Sequence, residues 1–392
     1  MSFAYFIKGF YLRYEMAGIG ATSSFQKKVK AKVVTIPGAR PSIHNSQLLL
    51  STGVPSLDYL LGGGLPVGSI LLLEQDRHDV YSKLFLKYYL AEGVMNKHML
   101  CLASLDVSPQ QIMQDLPAPT DTEPEEEHKV EGDKQMTIAW RYQNQATQPT
   151  ACYNRFGHNY DLTKSMDKEK VSQADVSLWD GCETTEGKGV LSNNYYWSLL
   201  QEIKRKIDTS NLSTSCNKAK TNVLRLGLHS IGSPLWGSEF GRQEREHEWH
   251  NLTAFMAVLR AIIRNSFSVC LVTIPSHIFT DPALLSRLHT PADFVVRLES
   301  FQGSEKETNP VFKDYHGLFH VVKLAAINSL VPPILDTTDW VFRLKRRKLT
   351  IERLHLPPEL SETVSRGQEE SLQTQLGHHA CMGDKLPKHL DF

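Results

Sequence analysis

The most informative stretch of this chain is STGVPSLDYLLGGGLPVG, at residues 51–68. Its three consecutive glycines at 62–64 by themselves indicate only a tight turn, because glycine accepts backbone conformations that other residues avoid. The stretch is followed by the apolar run ILLL at 70–73, which is typical of a strand buried on both faces of a sheet. The segment therefore predicts a turn that leads the chain into a central strand.

Strands and helices alternate on both sides of this segment. Apolar residues recur at helical spacing between Leu84 and Ala91, and residues 99–103 form the next short apolar strand. Further strands are predicted in the second half of the chain, at 223–228, 268–274, 293–298, 317–324 and 340–344. A strand, a helix and another strand in this order imply a parallel βαβ unit. The predicted fold class is α/β, with a mostly parallel central sheet flanked by helices.

Composition divides the 392 residues into a folded domain and looser parts. We expect a flexible N-terminal tail at 1–40, the α/β domain at 41–356, and a disordered C-terminal tail at 357–392. Between about 117 and 189 the sequence is rich in Pro, Thr, Glu, Asp and Lys, and includes EPEEE at 123–127. Such a segment buries too little apolar surface to offset its ordering entropy. It is predicted to be a disordered acidic insertion in the domain.

The overall composition excludes several classes of protein. Lys plus Arg and Asp plus Glu are both 43, so no global charge attracts nucleic acid or an anionic membrane. The six cysteines never approach a C-x-x-C spacing, which argues against a zinc knuckle and favours a reducing compartment. No apolar run reaches the roughly 18 residues needed to span a bilayer, and no membrane partner is expected.

The order of residues in the 51–68 stretch resembles the entry to the nucleotide-binding core of RecA- and KaiC-like ATPases. In those proteins S-T-G-x-x-x-L-D-x-L-L-G-G-G-L-x-x-G leads into the strand that carries the phosphate loop, and Leu57, Asp58 and Gly68 fall at matching offsets here. The resemblance implies a RecA-like fold. Counting from Gly68, the phosphate loop G-x-x-x-x-G-K-[ST] should occupy residues 75–82, which read QDRHDVYS.

This predicted phosphate loop is degenerate, because only the hydroxyl of Ser82 matches the motif. The glycines let backbone N–H groups converge on phosphate, and the lysine, which Tyr81 replaces, neutralises phosphate oxygens. Asp76 and Asp79 add negative charge, and repulsion between unit charges a few Å apart costs about 1 to 4 kcal/mol. Arg77, His78 or the nearby Lys83 could compensate in part. This subunit alone is therefore expected to bind triphosphate poorly.

Such ATPases carry two further functional groups, a water-activating carboxylate and a magnesium ligand. Asp106 follows the strand at 99–103, where a water-activating carboxylate would lie, although an acidic residue at the start of a loop is more often solvated. The strand that should end in a magnesium ligand reads LGLHS at 226–230, without a carboxylate, so no metal site and no catalytic residue are predicted. The alternative is an active ATPase whose site, using Ser82 and Asp106, is completed by a neighbouring subunit that shares bound ATP.

Several further blocks identify the chain as similar to the PAXNEB family, the fourth subunit of the Elongator complex. They are RPSI at 40–43, IGSPLW at 231–236 and LTIERLHLPP at 349–358, and the resemblance covers nearly all of residues 40–366. The family implies a hetero-hexameric ring with the fifth and sixth Elongator subunits. This ring binds tRNA and supports wobble-uridine (U34) modification by the catalytic Elongator subcomplex, and the complex has also been linked to elongating RNA polymerase II. The family implies cytoplasmic and nuclear residence and no resident cofactor.

Candidate tRNA contacts come from loops after the two central strands and from the densest basic run. The loops give Arg242, Arg245 and Arg287, and the run RLKRRK at 343–348 gives Arg343, Lys345, Arg346 and Arg347. Cations of this kind neutralise phosphates. The acidic residues interleaved around 239–248 are equally compatible with a solvated loop, and the basic run is equally compatible with a hairpin turn that protects a sheet edge. An adaptor without RNA contact remains a third interpretation.

Overall fold

The computed structural model describes residues 36–42, 47–120, 156–182, 191, 193–216, 219–237, 245–279, 281–327, 331–335 and 337–354. Within these ranges the strands are, in chain order, β1 (Ala39–Pro41), β2 (Leu48–Leu50), β3 (Leu65–Pro66), β4 (Ile70–Glu74), β5 (Met99–Ala103), β6 (Pro117–Pro119), β7 (Tyr160–Ser165), β8 (Val176–Trp179), β9 (Leu224–Leu228), β10 (Ser268–Ile274), β11 (Phe294–Ser300), β12 (Gly317–Lys323), β13 (Trp340–Leu344) and β14 (Leu349–Arg353).

The α-helices in the same ranges are α1 (Pro55–Leu60), α2 (Tyr81–Met95), α3 (Pro109–Gln114), α4 (Lys168–Ser172), α5 (Asn194–Thr209), α6 (Arg245–Arg264) and α7 (Pro282–His289). Short 3-10 helices lie at Pro234–Trp236, Ser276–Ile278, Glu305–Glu307 and Pro310–Phe312. Helix α7 begins as the sequence indicates, because the Asp281 side chain accepts a hydrogen bond from the backbone N–H of Ala283 and proline holds the first helical position.

The main sheet has the strand order β14-β13-β12-β11-β4-β10-β9-β5-β8. The six strands from β8 to β11 run parallel to one another, and β12, β13 and β14 continue the sheet with antiparallel pairings. The predicted α/β class with a mostly parallel central sheet is confirmed. Strand β4, the one entered from the glycine turn, is flanked by β10 and β11.

Strand β4 is buried on both faces, as its unbroken apolar run indicates. Leu71 and Leu73 belong to the core cluster that contains α2, whereas Ile70 and Leu72 belong to the cluster that contains α5 and α6. Because side chains alternate between the faces of a strand, the two clusters lie on opposite sides of the sheet. Helices therefore cover both faces and fix the position of the loop that follows β4.

The region predicted as a disordered insertion at 117–189 contains ordered elements in its described part. Residues 156–182 include β7, α4 and β8, and β8 pairs in parallel with β5 at the edge of the main sheet. Tyr160 is buried and donates a hydrogen bond from its hydroxyl to Glu92, and Trp179 is also buried. The prediction was wrong for this segment because polar composition averaged over 70 residues hides two short strands with buried aromatic side chains. Residues 121–155 and 183–190 lie outside the described residues.

Ordered structure also begins before residue 41, the predicted start of the domain. Ile36 is buried, the carbonyl of Pro37 lies 2.7 Å from His98 Nε2, and β1 pairs with β2. Ile36 thus contributes to the core. The C-terminal tail at 357–392 lies outside the described residues, and the division of the chain into a domain with two tails stays a prediction.

Candidate functional site: a self-occupied phosphate loop

The loop at residues 75–80 joins the end of β4 to the start of α2. Its position is the one obtained by counting from Gly68. In parallel α/β sheets ligands bind outside the carboxyl ends of the strands, and this loop emerges there at the middle of the sheet. The strand, loop and helix of a phosphate site are therefore all present, and the side chains decide what the site holds.

Asp76 places its carboxylate against the N-terminus of α2. Its Oδ2 accepts a hydrogen bond from the backbone N–H of Val80 at 3.0 Å, and Oδ1 accepts from the N–H groups of Tyr81 at 3.2 Å and Ser82 at 2.9 Å. Oδ1 also lies 2.8 Å from the Ser82 hydroxyl. Unpaired N–H groups and the helix dipole make such a terminus an anion site. Asp76 is 1% exposed, so the chain's own carboxylate occupies the position of a bound anion.

Asp79 closes the other side of the loop. Its Oδ1 accepts a hydrogen bond from Gln75 Nε2 at 3.0 Å and lies 2.7 Å from the Ser82 hydroxyl. The single proton of that hydroxyl serves Asp76 or Asp79 at any moment, so both carboxylates compete for the one motif residue that remains. The backbone of Asp79 is left-handed, with φ of 52°, a conformation that aspartate tolerates better than most residues.

His229 connects Asp79 to the neighbouring strands. It lies at the end of β9, is fully buried, and places Nε2 at 2.8 Å from Asp79 Oδ2 and Nδ1 at 3.0 Å from the Ser104 hydroxyl. Burial raises the pKa of Asp79, but the hydrogen bond and charge of His229 outweigh it, so the pKa of this carboxyl lies below its usual value. The position where an ATPase is expected to carry its magnesium-binding carboxylate thus holds a histidine. The side chain of this histidine pairs with Asp79 inside the protein.

Tyr81 occupies the lysine position of the motif and packs away from the loop. Its ring centroid lies 4.7 Å from that of Phe342 and 6.0 Å from that of His316. Burial raises the pKa of the tyrosine hydroxyl. The side chain therefore contributes to packing between α2 and β13, and it supplies no positive charge to the loop.

Arg77 and Asp106, the remaining residues of the predicted site, lie apart. Arg77 is exposed, and its charge contributes to the lowered pKa of His277, for which burial is the larger cause. Asp106 is an exposed residue of the loop after β5, and its Oδ1 accepts a hydrogen bond from the Ser233 hydroxyl. Asp76, Tyr81 and Ser82 are brought together at the start of α2.

Sequence reasoning missed a buried carboxylate directly before the loop. Glu74 ends β4, is 1% exposed, and accepts hydrogen bonds from Arg297 Nε at 2.8 Å and from His289 Nε2 at 2.9 Å. Burial raises its pKa, but these two partners outweigh burial and hold the pKa at about 2. Its partners lie more than 200 residues away, so only the strand register of β4 and β11 could have revealed the cluster.

The basic run at 343–348 forms the end of β13, the turn, and the start of β14. Three of its cations have carboxylate partners: Arg343 with Asp314 at 3.6 Å, Lys345 with Glu352 at 3.3 Å, and Arg347 with Asp161 at 3.9 Å. Arg346 is exposed and has no such partner among the residues that the structure describes. The hairpin at the sheet edge is confirmed.

The other predicted tRNA residues do not join this hairpin. Arg242 lies outside the described residues, and Arg245 begins α6. Arg287 is exposed on α7, a helix that packs beside α6. The candidates therefore lie on separate surface elements.

Across the residues described above, no three histidine, cysteine, aspartate or glutamate side chains are grouped so as to hold a metal ion. Of the helices given above, none combines the length and apolar character needed to cross a bilayer.

Fold and site together define an α/β domain with a mostly parallel sheet, in which Asp76 fills the anion position at the start of α2. The chain belongs to the PAXNEB family, whose sequence model, described as PAXNEB protein, matches residues 32–392. It is 46% identical over 370 residues to Elongator complex protein 4 of Danio rerio, covering 91% of this chain and 93% of the relative. It is 41% identical over 405 residues to Elongator complex protein 4 of Mus musculus, covering 96% and 95%.

A solved structure of a KaiC-like protein from Pyrococcus horikoshii OT3 also matches, at a TM-score of 0.43 and 12% identity. The match covers 78% of this chain and 98% of that one.

Proposed function

We propose that this chain is a non-catalytic RecA-like subunit of the Elongator complex. In this proposal it assembles with the fifth and sixth subunits into a hetero-hexameric ring that binds tRNA and supports wobble-uridine modification by the catalytic subcomplex, in the cytoplasm and with a nuclear fraction linked to transcription elongation. The names of its relatives support the assignment to the complex. The occupation of the phosphate position by Asp76 supports the non-catalytic role.

The Asp76 carboxylate makes triphosphate binding in this loop energetically costly. A triphosphate that entered this loop would have to displace a buried carboxylate from three backbone N–H groups and one hydroxyl. Hydrogen bonds to charged groups each contribute about 1.5 to 3 kcal/mol. The displaced carboxylate would then repel the phosphate. With Tyr81 packed against Phe342, the lysine position of the motif supplies no positive charge to offset these costs.

ATP titration of the full chain tests this role. We expect no saturable ATP binding and no hydrolysis by the unmodified chain. The double substitution Asp76→Gly with Tyr81→Lys, which empties the site and restores the lysine, should gain measurable ATP binding. Hydrolysis by the unmodified chain that Ser82→Ala abolishes would instead establish the active-ATPase alternative. Repeating the assay after mixing with the two partner subunits covers a site shared with a neighbour.

Assembly is tested by light scattering. The full chain mixed with the fifth and sixth Elongator subunits should give the mass of a hexamer with two copies of each subunit. A mass that stays at the sum of separate chains would contradict ring formation. This measurement does not depend on nucleotide or RNA, so its outcome is independent of the ATP test.

The tRNA contact is tested on the assembled ring with the hairpin cations. Replacing Arg343, Arg346 and Arg347 by Glu should weaken tRNA binding and flatten its salt dependence, because each phosphate contact releases counterions. Arg205→Glu is the matched control, since Arg205 is an exposed cation on α5 that pairs with Glu202. Unchanged affinity in the triple variant would favour an adaptor role for this subunit.

A further inference from the structure

An open pocket of about 610 Å³ lies beside the amino end of β4. Its walls come from the end of α6, the segment after α7, and the end of β12, and they include Arg260, Arg264, Asp293 and Lys323. The buried Asp293 carboxylate accepts a hydrogen bond from the backbone N–H of Ile70, the first residue of β4. The pocket and the degenerate loop therefore flank opposite ends of one strand, about 16 Å apart at the usual rise per residue.

Cations outnumber carboxylates in this pocket. Asp293 is paired with Arg260 and, at 3.1 Å, with Arg264. Lys323 donates to the carbonyl oxygens of His289, Thr290 and Ala292, so backbone groups fix its position, and no carboxylate of the described residues pairs with it there. The three cations and one carboxylate leave two positive charges in excess.

Burial, and to a smaller extent neighbouring positive charge, lowers the pKa of the cations in this pocket. Burial, and secondarily the charge of Arg264, lowers the pKa of Arg260 to about 10. Burial, with Arg260 as the second cause, also lowers the pKa of Lys323. All three groups stay protonated at neutral pH, but each would gain from an anion placed between them.

The donors that remain suit a tetrahedral oxyanion. Each guanidinium carries five N–H donors in a planar fork, and the Asp293 carboxylate engages only part of each fork. Arg264 keeps 41% of its side chain exposed toward solvent and Arg260 keeps 28%. Leu324 and Ala325 add an apolar wall. A pocket of this volume falls in the range of small-ligand sites, so it admits one nucleotide.

We infer that this pocket binds the phosphate of a nucleoside monophosphate, either a free nucleotide or the 5′-phosphorylated end of an RNA. A phosphate monoester carries about −1.5 to −2 charge at neutral pH, which matches the excess of two positive charges. The phosphate engages Arg260 and Arg264 in the field of Lys323, and the ribose and base face the apolar wall. The site is separate from the degenerate loop and does not depend on ATP chemistry.

Titration of the full chain in phosphate-free buffer with AMP, adenosine and inorganic phosphate tests the site. We expect AMP and inorganic phosphate to bind and adenosine not to bind. Arg264→Gln should weaken AMP binding about tenfold to a hundredfold, the range for losing a charged hydrogen-bond partner. Arg264→Lys, which keeps the charge but loses the fork, should fall in between. Arg205→Gln is the control and should leave binding unchanged.

Two further arms complete the test. A short RNA with a 5′-phosphate that binds more tightly than its 5′-hydroxyl counterpart identifies an RNA end as the source, and binding of AMP alone identifies a free nucleotide. Equal binding of AMP and adenosine, or equal AMP affinity in Arg264→Gln and Arg205→Gln, overturns the inference. If Arg264→Gln unfolds, as near-ultraviolet circular dichroism would show, the comparison of AMP with adenosine on the unmodified chain decides. None of these readouts involves ring assembly or tRNA, so a failure here is distinct from failure of the proposed function.

Discussion

The two ends of β4 differ in how the charge of their carboxylates is balanced. At the carboxyl end, the side chain of Asp76 satisfies the N-terminus of α2, and Asp79 is paired with His229. At the amino end, Asp293 is outnumbered by Arg260, Arg264 and Lys323. The backbone N–H groups that would bind a phosphate are thus present at the start of α2, but they bind the side chain of Asp76 instead. Sequence change can therefore close an anion site without altering the strand, loop and helix that built it.

The largest expected loss of stability comes from removing the Asp76 carboxylate. Asp76→Ala leaves the N–H groups of residues 80, 81 and 82 unpaired in a buried place, and buried donors without partners are costly. We expect the free energy of unfolding to fall by about 3 kcal/mol. Chemical denaturation of the full chain measures this loss.

Asp76→Asn is the matched control for that experiment. It keeps one oxygen to accept from the N–H groups of Tyr81 and Ser82, but its NH2 group cannot accept from the N–H of Val80, so it should lose roughly half as much stability. A loss below about 0.5 kcal/mol in Asp76→Ala, the ordinary range for surface changes, would contradict the view that the carboxylate stabilises the loop.

A second effect depends on pH and concerns Glu74. The pKa of this carboxyl falls from 4.5 to about 2 in the folded protein, so its contribution is complete above about 4.5 and is lost as the pH falls toward 2. Because Arg297 is 46% exposed and solvent screens it, we expect Glu74→Gln to cost about 2 kcal/mol at pH 7. Denaturation at pH 7, 4 and 3 should show the two proteins converging on acidification. A pH-independent difference would exclude this linkage.

The smallest loss of stability is expected for a substitution beside the amino end of β4. Arg264→Gln removes one of two cations from Asp293, but Arg260 and the N–H of Ile70 still satisfy that carboxylate. The partly exposed pair should contribute no more than about 1 kcal/mol to folding. Thermal melting compared with the unmodified chain measures it. A loss as large as that in Asp76→Ala would mean that the pocket cations serve the fold, which would remove the contrast between the two ends.

Local pattern was sufficient to predict the parallel core, and the resemblance to RecA- and KaiC-like ATPases gave the position of the loop. Strand β4 has an unbroken apolar run, and its distance from Gly68 locates residues 75–82. The negative charge of Asp76 was also evident. The sequence did not show that the Asp76 side chain turns toward the N-terminus of α2. That orientation depends on the left-handed backbone at Asp79 and on hydrogen bonds that only the folded loop creates.

The features that sequence reasoning missed depend on register between distant strands. His229 meets Asp79 across 150 residues, and Arg297 meets Glu74 across 223. Asp293 joins α6 to the start of β4 in the same way. No spacing rule connects such residues, since helix and strand periodicity describe neighbours along one element. Strand β8 was missed for another reason, because only four residues carry its pattern within a long polar region.

Trp179, the buried aromatic side chain of β8, gives the protein an intrinsic spectroscopic signal for the position of this strand. Trp179 stacks on Trp236 with ring centroids 5.3 Å apart and planes 17° from parallel, and Tyr196 also stacks on Trp236, at 5.6 Å and 7°. Indole rings at this separation couple their electronic transitions, which gives a paired signal in circular dichroism. Release of the edge strand would abolish that signal while leaving the rest of the sheet intact. The docking of this segment can therefore be followed in solution without a label.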